Sequence, residues 1–359
     1  ELYQANNKYE LALETYQKLL EVSPDDPHVH LSLANFYRSR GEKEKYFEEL
    51  KKAFYNHGLE IDKKGQILLS YYSFTENFPE HTAQAMELCR IMVETHPDDA
   101  KAHSLFADYL YREKKLSEAK DHYKKAARID QSQFLVWRQL LQIESELKDF
   151  DALLDDSRQA IELFPNQSIL YLYNGIANIQ KMKIENAIEI LNQGVNLTKD
   201  NNLLLSTFYS NLGDSYHSKN DTGASDSAYD KAIEYDPENI YVLNNYSYYL
   251  SLRGKDLEKA QEMSLKAIDI EPENISFLDT YGWILFQFGK FSEARVWIEK
   301  AIEKGGDSRN TILEHYGDVL FKLGEPDKAV QYWIEAKKKG GDSDLLNKKI
   351  ADKKWYEKL

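Results

Sequence analysis

The chain is poor in cysteine, proline and glycine, and cysteine in particular is needed for most small secreted folds and many metal sites. Cys89 is its only cysteine, and it contains 8 prolines and 16 glycines in 359 residues. One thiol excludes an internal disulfide, but it does not indicate a compartment, because reducing and oxidising spaces both hold cysteine-poor proteins. No apolar run approaches the roughly 18 residues that a membrane-spanning helix needs. We therefore expect no transmembrane segment in this chain.

Motifs for common catalytic chemistry are also missing. There is no glycine-rich phosphate loop, no GxSxG, no HExxH and no paired-cysteine metal site. The nearest histidines, His28 and His30, are two residues apart and would face different sides of a helix. Helix capping and solvation explain the acidic pairs Asp25–Asp26, Asp98–Asp99 and Asp155–Asp156. We expect no enzymatic activity, no catalytic residues, no cofactor and no metal.

Basic residues are outnumbered. The chain has 46 lysines and arginines against 60 acidic residues, for a net charge of −14. This balance disfavours a grip on phosphate backbones, so we expect no nucleic-acid partner. Residues 337–359 are the exception, with eight lysines and four acidic residues. This basic end could touch an anionic surface, or it could be a solvated terminal helix.

What the chain does contain is a repeat. Each unit begins its pattern with a small residue, often glycine, and has a second small residue twelve positions later. An often aromatic residue follows four positions further on, and an alanine closes the pattern after three more. One such set is Gly317, Ala329, Trp333 and Ala336. Each unit therefore contains two helical segments, and a larger side chain at their crossing would cost about 1–3 kcal/mol through overpacking. The closing alanines, mostly 34 or 35 residues apart, are Ala53, Ala126, Ala160, Ala232, Ala267, Ala301 and Ala336.

This pattern resembles the tetratricopeptide repeat, whose motif carries a small residue in its first helix (helix A), two alanines and an aromatic residue in its second (helix B), and a closing proline. Pro97, Pro165, Pro237 and Pro272 occupy the closing position. The resemblance implies an all-α, right-handed superhelical solenoid of antiparallel helix pairs. After an N-terminal half-repeat we count nine units, followed by a C-terminal capping helix over 343–357. The units begin near residues 28, 66, 100, 134, 168, 205, 240, 275 and 310.

The two ends of the array carry further expectations. The chain opens at Glu1, and its first segment matches a helix B with no helix A before it. We expect upstream sequence, which could hold a signal peptide, a lipid-anchor cysteine or another repeat. At the other end, the lysine pairs 348–349 and 353–354 would give the capping helix a polar outer face. Among the helix starts, Asp26 and Asp99 are predicted caps.

Two spacings break the period. Ala53 and Met92 are 39 residues apart, and Gly194 and Ala232 are 38 apart, which places insertions near 57–65 and 198–206. Each is either a tolerated loop or a joint that changes the curvature of the array. They divide the chain into 1–60 (the half-repeat and unit one), 61–200 (units two to five), 201–342 (units six to nine) and the capping segment 343–359.

Unit four departs from the pattern. Leu141 stands where helix A has its small residue, and Leu153 takes the place of the first alanine of helix B. We expect wider packing here, with Trp137 and Phe150 filling the space.

In tetratricopeptide arrays helix A lines the concave face, so exposed helix A positions are the candidate partner-binding groove. Tyrosine and tryptophan there would suit protein recognition, although some of these rings could instead pack against the next unit. The acidic members would favour a ligand with basic or neutral polar groups. The candidate groove residues are Tyr173, Ile176, Asn211, Asp214, Asn245, Tyr246, Tyr249, Asp279, Trp283, Phe286, Glu314 and Asp318. The same positions hold Asn35, Arg38, Asp108, Tyr111, Arg112, Ile179, His217, His315 and Phe321.

The segments 243–246, 280–283 and 314–318 resemble the C-terminal repeats of large bacterial tetratricopeptide proteins, especially those of Bacteroidota. Many of those are envelope proteins with a lipid anchor. The resemblance implies a periplasmic or outer-membrane-associated protein involved in assembly or secretion. The alternative is a cytoplasmic adaptor or chaperone-like protein.

The function that this sequence favours is a non-catalytic scaffold that binds a partner protein or peptide in its concave groove. The alternative is a structural spacer whose convex and terminal surfaces make the contacts.

Overall fold

The computed structural model describes residues 2–6, 8–72 and 79–356, and within these ranges it contains helices and no β-strand. The chain divides into two compact units, 1–183 and 184–359. The first contains α1 (Leu2–Ala5), α2 (Tyr9–Val22), α3 (Pro27–Ser39), α4 (Lys43–Tyr55), α5 (Ile61–Tyr72), α6 (Pro79–Thr95), α7 (Ala100–Arg112), α8 (Leu116–Ile129), α9 (Phe134–Glu146), α10 (Phe150–Leu163) and α11 (Ser168–Gln180). The second contains α12 (Ile184–Leu197), α13 (Asn202–Ser218), α14 (Thr222–Tyr235), α15 (Ile240–Leu252), α16 (Leu257–Ile270), α17 (Ile275–Gln287), α18 (Phe291–Glu303), a 3-10 turn (Gly306–Ser308), α19 (Asn310–Lys322), α20 (Pro326–Lys338) and α21 (Asp344–Asp352).

The predicted all-α fold of helix pairs is confirmed. In the first compact unit, α3 pairs with α4, α5 with α6, α7 with α8 and α9 with α10, which form repeat units one to four. In the second, α13 pairs with α14, α15 with α16, α17 with α18 and α19 with α20, which form repeat units six to nine. Seven of the nine A helices begin within one residue of the predicted position. The exceptions are α5 and α13, which begin at Ile61 and Asn202 rather than near 66 and 205.

The small residues hold the helix pairs together as the repeat predicts. All seven closing alanines have no exposed surface. At the crossing in unit eight, a Cβ added to Gly282 would lie 2.6 Å from Ile298 Cγ1. In unit nine, a Cβ added to Gly317 would lie 2.5 Å from Trp333 Cδ1. Real carbon atoms do not approach so closely, so these crossings require glycine.

Caps and turns fix where the A helices begin. Asp26 accepts hydrogen bonds from the backbone N–H groups of His28 and Val29, and Asp99 caps α7 in the same way, as predicted. In the first compact unit, the side chain at the fourth position of four A helices also donates to a carbonyl six residues earlier in the preceding turn. The donors, at 2.9–3.2 Å, are His30, His103, Trp137 and Tyr171.

The two added segments differ in kind. The second lengthens a helix, since α13 has 17 residues where the regular A helices have 13. The first does not lie near 57–65 as predicted, because the connection between α4 and α5 spans only 56–60. Most of it falls later in unit two, where α6 has 17 residues against 14 in α8; residues 73–78 lie outside the described residues. The division into blocks at 60, 200 and 342 stays a prediction.

Unit four packs as its two leucines predict. Helices α9 and α10 approach each other less closely than α7 and α8, and Trp137 is buried while Phe150 is half-buried. Glu144 is also fully buried here, and neither of its carboxyl oxygens accepts a hydrogen bond from the described residues. Burial, together with the neighbouring Asp156 carboxyl, raises the pKa of Glu144 to about 9. Asp156 itself accepts a hydrogen bond from Lys124 Nζ at 2.6 Å.

Replacing Gly282 by alanine tests the close crossing. We expect Gly282→Ala to lower the free energy of unfolding by about 1–3 kcal/mol, because the new methyl group must displace Ile298. Gly223→Ala is the matched control, since its added carbon would meet only Asp221 Oδ1, at 4.0 Å. The control should be neutral or stabilising by up to about 1 kcal/mol. Urea denaturation of both variants makes the comparison, and equal stabilities would show that the crossing has room to spare.

The buried Glu144 predicts an unusual pH dependence. Its folded pKa of about 9 lies above the ordinary value of 4.5, so the folded chain holds a proton that the unfolded chain releases between these values. The contribution of Glu144 to stability must therefore fall as pH rises from about 4.5 to about 9. Glu144→Gln removes this loss, and at pH 8 it should be more stable than wild type by about 1–3 kcal/mol. At pH 5 the two chains should have nearly the same free energy of unfolding.

Glu146→Gln provides the control for this experiment. Glu146 lies two residues further along α9 and is exposed, so its replacement should leave the pH profile of thermal unfolding unchanged. If wild type and Glu144→Gln kept the same difference in midpoint from pH 5 to pH 8, the buried acid would not titrate as described.

Candidate protein-binding surface

The candidate groove residues all lie on A helices, but they divide sharply by exposure. Tyr173 and Ile176 on α11 of the first compact unit are half-exposed. In the second compact unit Asn211, Asp214, Asn245, Tyr249 and Glu314 are half-exposed. The exposure expected for five others is wrong, because they are at most 8% exposed: Tyr246, Asp279, Trp283, Phe286 and Asp318.

The side chains of Asp214 and Asp318 contact helix B of their own repeat. Each directly follows the small residue of helix A, and each accepts a hydrogen bond from the helix B aromatic residue fifteen positions later. Tyr229 Oη donates to Asp214 Oδ1 at 2.6 Å, and Trp333 Nε1 donates to Asp318 Oδ1 at 2.8 Å. Burial raises the pKa of both carboxyls. The acid thus joins the two helices of its unit from inside.

Asp108 makes the same bond in unit three, where it accepts from Tyr123 Oη. The sequence carried a signal for this arrangement, namely aspartate after the small residue and an aromatic residue fifteen positions on. The helix A rule missed it, because that rule considers helix A alone and the bond joins helix A to helix B.

Tyr249 lies at the boundary between units six and seven. Its ring stacks on His217 with centroids 3.6 Å apart, and its hydroxyl donates to Asp214 Oδ1 at 3.2 Å. Burial lowers the pKa of His217, so the ring is neutral at physiological pH. Asn245 and Asn211 flank this acid on α15 and α13 and remain half-exposed. We call Asn211, Asp214, His217, Asn245 and Tyr249 the Asp214 cluster.

Tyr246 belongs to the core beneath that cluster. Its ring stacks on Tyr229 at 5.0 Å, and Lys259 Nζ lies 4.7 Å from its centroid. One helical residue earlier, Asn245 faces the surface, because a step of about 100° separates neighbouring side chains.

In units eight and nine the aromatic residues stack on one another. Trp283 lies between Phe286 and His315, with centroid distances of 4.6 and 4.0 Å. His315 Nδ1 donates to Asp279 Oδ1 at 3.0 Å. Burial alone would lower the pKa of His315, but Asp279, with smaller contributions from Asp318 and Glu314, outweighs burial and raises that pKa. These side chains form an internal layer between α17 and α19.

The C-terminal segment covers this layer. Lys349 of α21 is 2% exposed, and its Nζ donates to Asp318 Oδ2 at 2.7 Å and to Glu314 Oε1 at 2.9 Å. The expectation that this lysine contributes to a polar outer face is therefore wrong, because its ammonium group pairs with two carboxylates of α19 and is buried. Further on, the Trp355 ring lies against Lys322 and near Phe286.

The capping helix is shorter than predicted. It spans Asp344–Asp352 rather than 343–357, and it ends where Lys353 adopts a left-handed backbone with φ of 54°. Residues 353–356 then continue without helical structure.

Two further findings apply to the described ranges only. None of their helices combines the length and apolar character needed to cross a bilayer. They also contain no group of three or more histidine, cysteine, aspartate or glutamate side chains placed to hold a metal ion.

Removing the Tyr229 hydroxyl tests the bond inside unit six. Tyr229→Phe should lower the free energy of unfolding by about 1–2 kcal/mol, because Asp214 loses a buried donor. Tyr241→Phe is the control, since Tyr241 is 68% exposed, and it should change stability by less than about 0.5 kcal/mol. Thermal unfolding of both variants gives the comparison. A Tyr229→Phe variant as stable as wild type would contradict the proposed role of the hydroxyl.

Comparisons with known proteins agree with this architecture. A family model described as TPR repeat matches residues 1–41, and two described as tetratricopeptide repeat match 206–239 and 228–262. The search of curated proteins gave no significant match.

Among solved structures, the chain is similar to the Cut9–Hcn1 hetero-tetramer of the APC/C, with a TM-score of 0.54 and 13% identity over 96% of this chain and 74% of that one. Yeast Tom70 gives a TM-score of 0.48 and 15% identity over 98% and 93%. YrrB, described as having an unusual peptide-binding site, gives 0.42 and 16% over 64% and 97%. At these identities the likeness concerns the fold alone. The repeat matches show tetratricopeptide repeats in residues 1–41 and 206–262, and the helix pairs and the likeness to Cut9–Hcn1 show that the fold is an all-helical repeat array.

Proposed function

We propose that this chain is a non-catalytic scaffold that binds a segment of a partner protein through the Asp214 cluster. The observation that carries the proposal is the fixed geometry of Tyr249, which is held by His217 on its face and by Asp214 at its hydroxyl. A ring that is ordered before binding loses little conformational entropy when a partner arrives. Tyrosine also offers a large contact area with a polar end.

The two asparagines give this surface its chemistry. Asn211 and Asn245 are half-exposed, and each carboxamide has donor and acceptor groups. Among the described residues, Asn211 Nδ2 donates to Thr207 O in its own helix, at 2.8 Å, and its oxygen has no donor. Asn245 Oδ1 accepts from Asn244 Nδ2 at 3.3 Å, and the Asn245 side chain also hydrogen-bonds Asp214. Such a pair suits the backbone amides of an extended segment, while the acidic surroundings favour a neutral or basic one.

The other candidate groove residues take different roles in the proposal. Tyr173 and Ile176 are half-buried against the core of the first compact unit, and we assign them to a separate apolar contact. The five buried residues act as supports beneath the surface. Glu314 is half-exposed, but it is paired with Lys349.

Two alanine substitutions test the Asp214 cluster. We expect the double variant Asn211→Ala, Asn245→Ala to lose at least about tenfold in affinity for the partner, because hydrogen bonds to the bound backbone disappear. The partner is first identified by affinity capture with mass spectrometry and then titrated as purified protein. Asn192→Ala on α12 is the matched control, since Asn192 is exposed on a B helix. Thermal midpoints of all three chains should agree.

A second candidate function is a spacer that makes contacts through its B helices. The B helices of units seven to nine expose apolar side chains, including Ile270, Val296 and Ile334, at 49%, 50% and 39%. If Val296→Asp abolished partner binding while the asparagine variant kept it, the spacer would replace the groove as the function.

We also infer that this scaffold works in a bacterial cell-envelope assembly or secretion complex. The support is the resemblance of segments 243–246, 280–283 and 314–318 to envelope proteins of Bacteroidota. Fractionation of native cells tests this, with the protein expected in the periplasmic or outer-membrane fraction. Recovery from the cytosol alone would favour a cytoplasmic adaptor.

A further inference from the structure

The segment 342–356 covers units eight and nine as a ligand would. Leu346 is fully buried, Lys349 enters between two carboxylates and the Trp355 ring lies near Phe286. Lys349 and Trp355 contact one face, formed by α17 and α19, while Leu346 lies close to Gly341 after the end of α20. We call the face formed by α17 and α19 the lysine-accepting face and define it by Trp283, Phe286, Glu314, His315 and Asp318.

Charge makes this face selective. Asp318 is 2% exposed, and its two oxygens accept from Lys349 Nζ at 2.7 and 2.9 Å. The other buried acid of the layer, Asp279, is already paired with His315. Without a cation at the position of Lys349, Asp318 would be left buried with only the Trp333 indole as donor. Leaving a buried charge unpaired is strongly unfavourable, so the face requires a lysine there.

The fit of this segment is less complete than the packing inside the array. A cavity of about 270 Å³ remains between it and α15, α17 and α19, lined by Tyr248, Gln287 and Trp355 among others. Trp283, which also lines the cavity, is 8% exposed, and its Nε1 has no acceptor among the described residues. The Trp355 indole likewise has none. The repeat cores, by contrast, have room for no additional carbon atom at their glycine crossings.

The connection to the array contains one sterically unrestricted glycine, followed by the tightly packed Gly341. Gly340, between α20 and α21, has a φ of 95°, and an added Cβ would meet nothing within 4 Å. Such a glycine changes backbone conformation at little steric cost. The segment therefore combines a specific anchor with an imperfectly filled contact.

We propose that the lysine-accepting face is a docking site for a partner segment that presents leucine, then lysine three residues on, then an aromatic residue six residues further, with the leucine and lysine on a helix and the aromatic residue beyond its end. Residues 342–356 carry this pattern as Leu346, Lys349 and Trp355, and they are the resident occupant. A partner segment with the same pattern that also fills the cavity displaces them. This site shares no residue with the Asp214 cluster, so a failure of one proposal does not contradict the other.

The test uses the full chain and a fluorescein-labelled peptide with the sequence of residues 342–356. Trp355→Ala loosens the resident segment without leaving a buried charge. We expect this variant to bind the peptide at least tenfold more tightly than wild type does, as measured by fluorescence anisotropy. A peptide carrying Lys349→Gln should bind at least tenfold more weakly than the native peptide. Lys348→Gln in the full chain is the matched control, because Lys348 is exposed, and it should behave as wild type.

Hydrogen exchange of α21 decides how each result is read. If Trp355→Ala leaves α21 protected, Lys349→Gln in the full chain provides the second opening variant. Protection of α21 in both variants would mean that the segment is a fixed part of the fold, which overturns the proposal. Fast exchange of α21 without peptide binding would overturn it as well. So would equal binding of the native and Lys349→Gln peptides.

Discussion

The close crossing of two helices within each unit is the constraint on which the structure depends. A Cβ at Gly282 or Gly317 would come within 2.6 Å of an opposing side chain, so the helix axes approach as nearly as backbone allows. The closing alanines, with no exposed surface, fill the remaining space. Because van der Waals attraction falls off steeply with distance, these small residues give the units that carry them their packing density.

Polar groups are built around that crossing. The aspartate after the small residue is brought so near to helix B that the aromatic residue there can donate to it, as Tyr229 does to Asp214 and Trp333 does to Asp318. Unit four shows what happens when leucines replace the small residues. Its helices stand further apart, and Glu144 occupies the interior without a donor from the described residues.

The fold was predictable in detail, and the candidate surface was predictable only in part. Period, small residues and caps locate most helix starts to within one residue. The helix A rule also placed Asn211, Asn245 and Tyr249 at the surface, where the structure leaves them half-exposed. It failed for Trp283 and Asp318, because their burial depends on side chains that arrive from α19 and from the C-terminal segment.

The sequence by itself determined the helix pairs, since their pattern is local, repeated and dictated by sterics at a single crossing. Tertiary structure alone decided which polar side chains meet. Lys349 reads as a solvated terminal lysine until α21 folds back, and only then does it pair with Asp318 and Glu314. The physical reason is that ion pairing depends on distance in space, and the residues concerned are more than thirty positions apart along the chain.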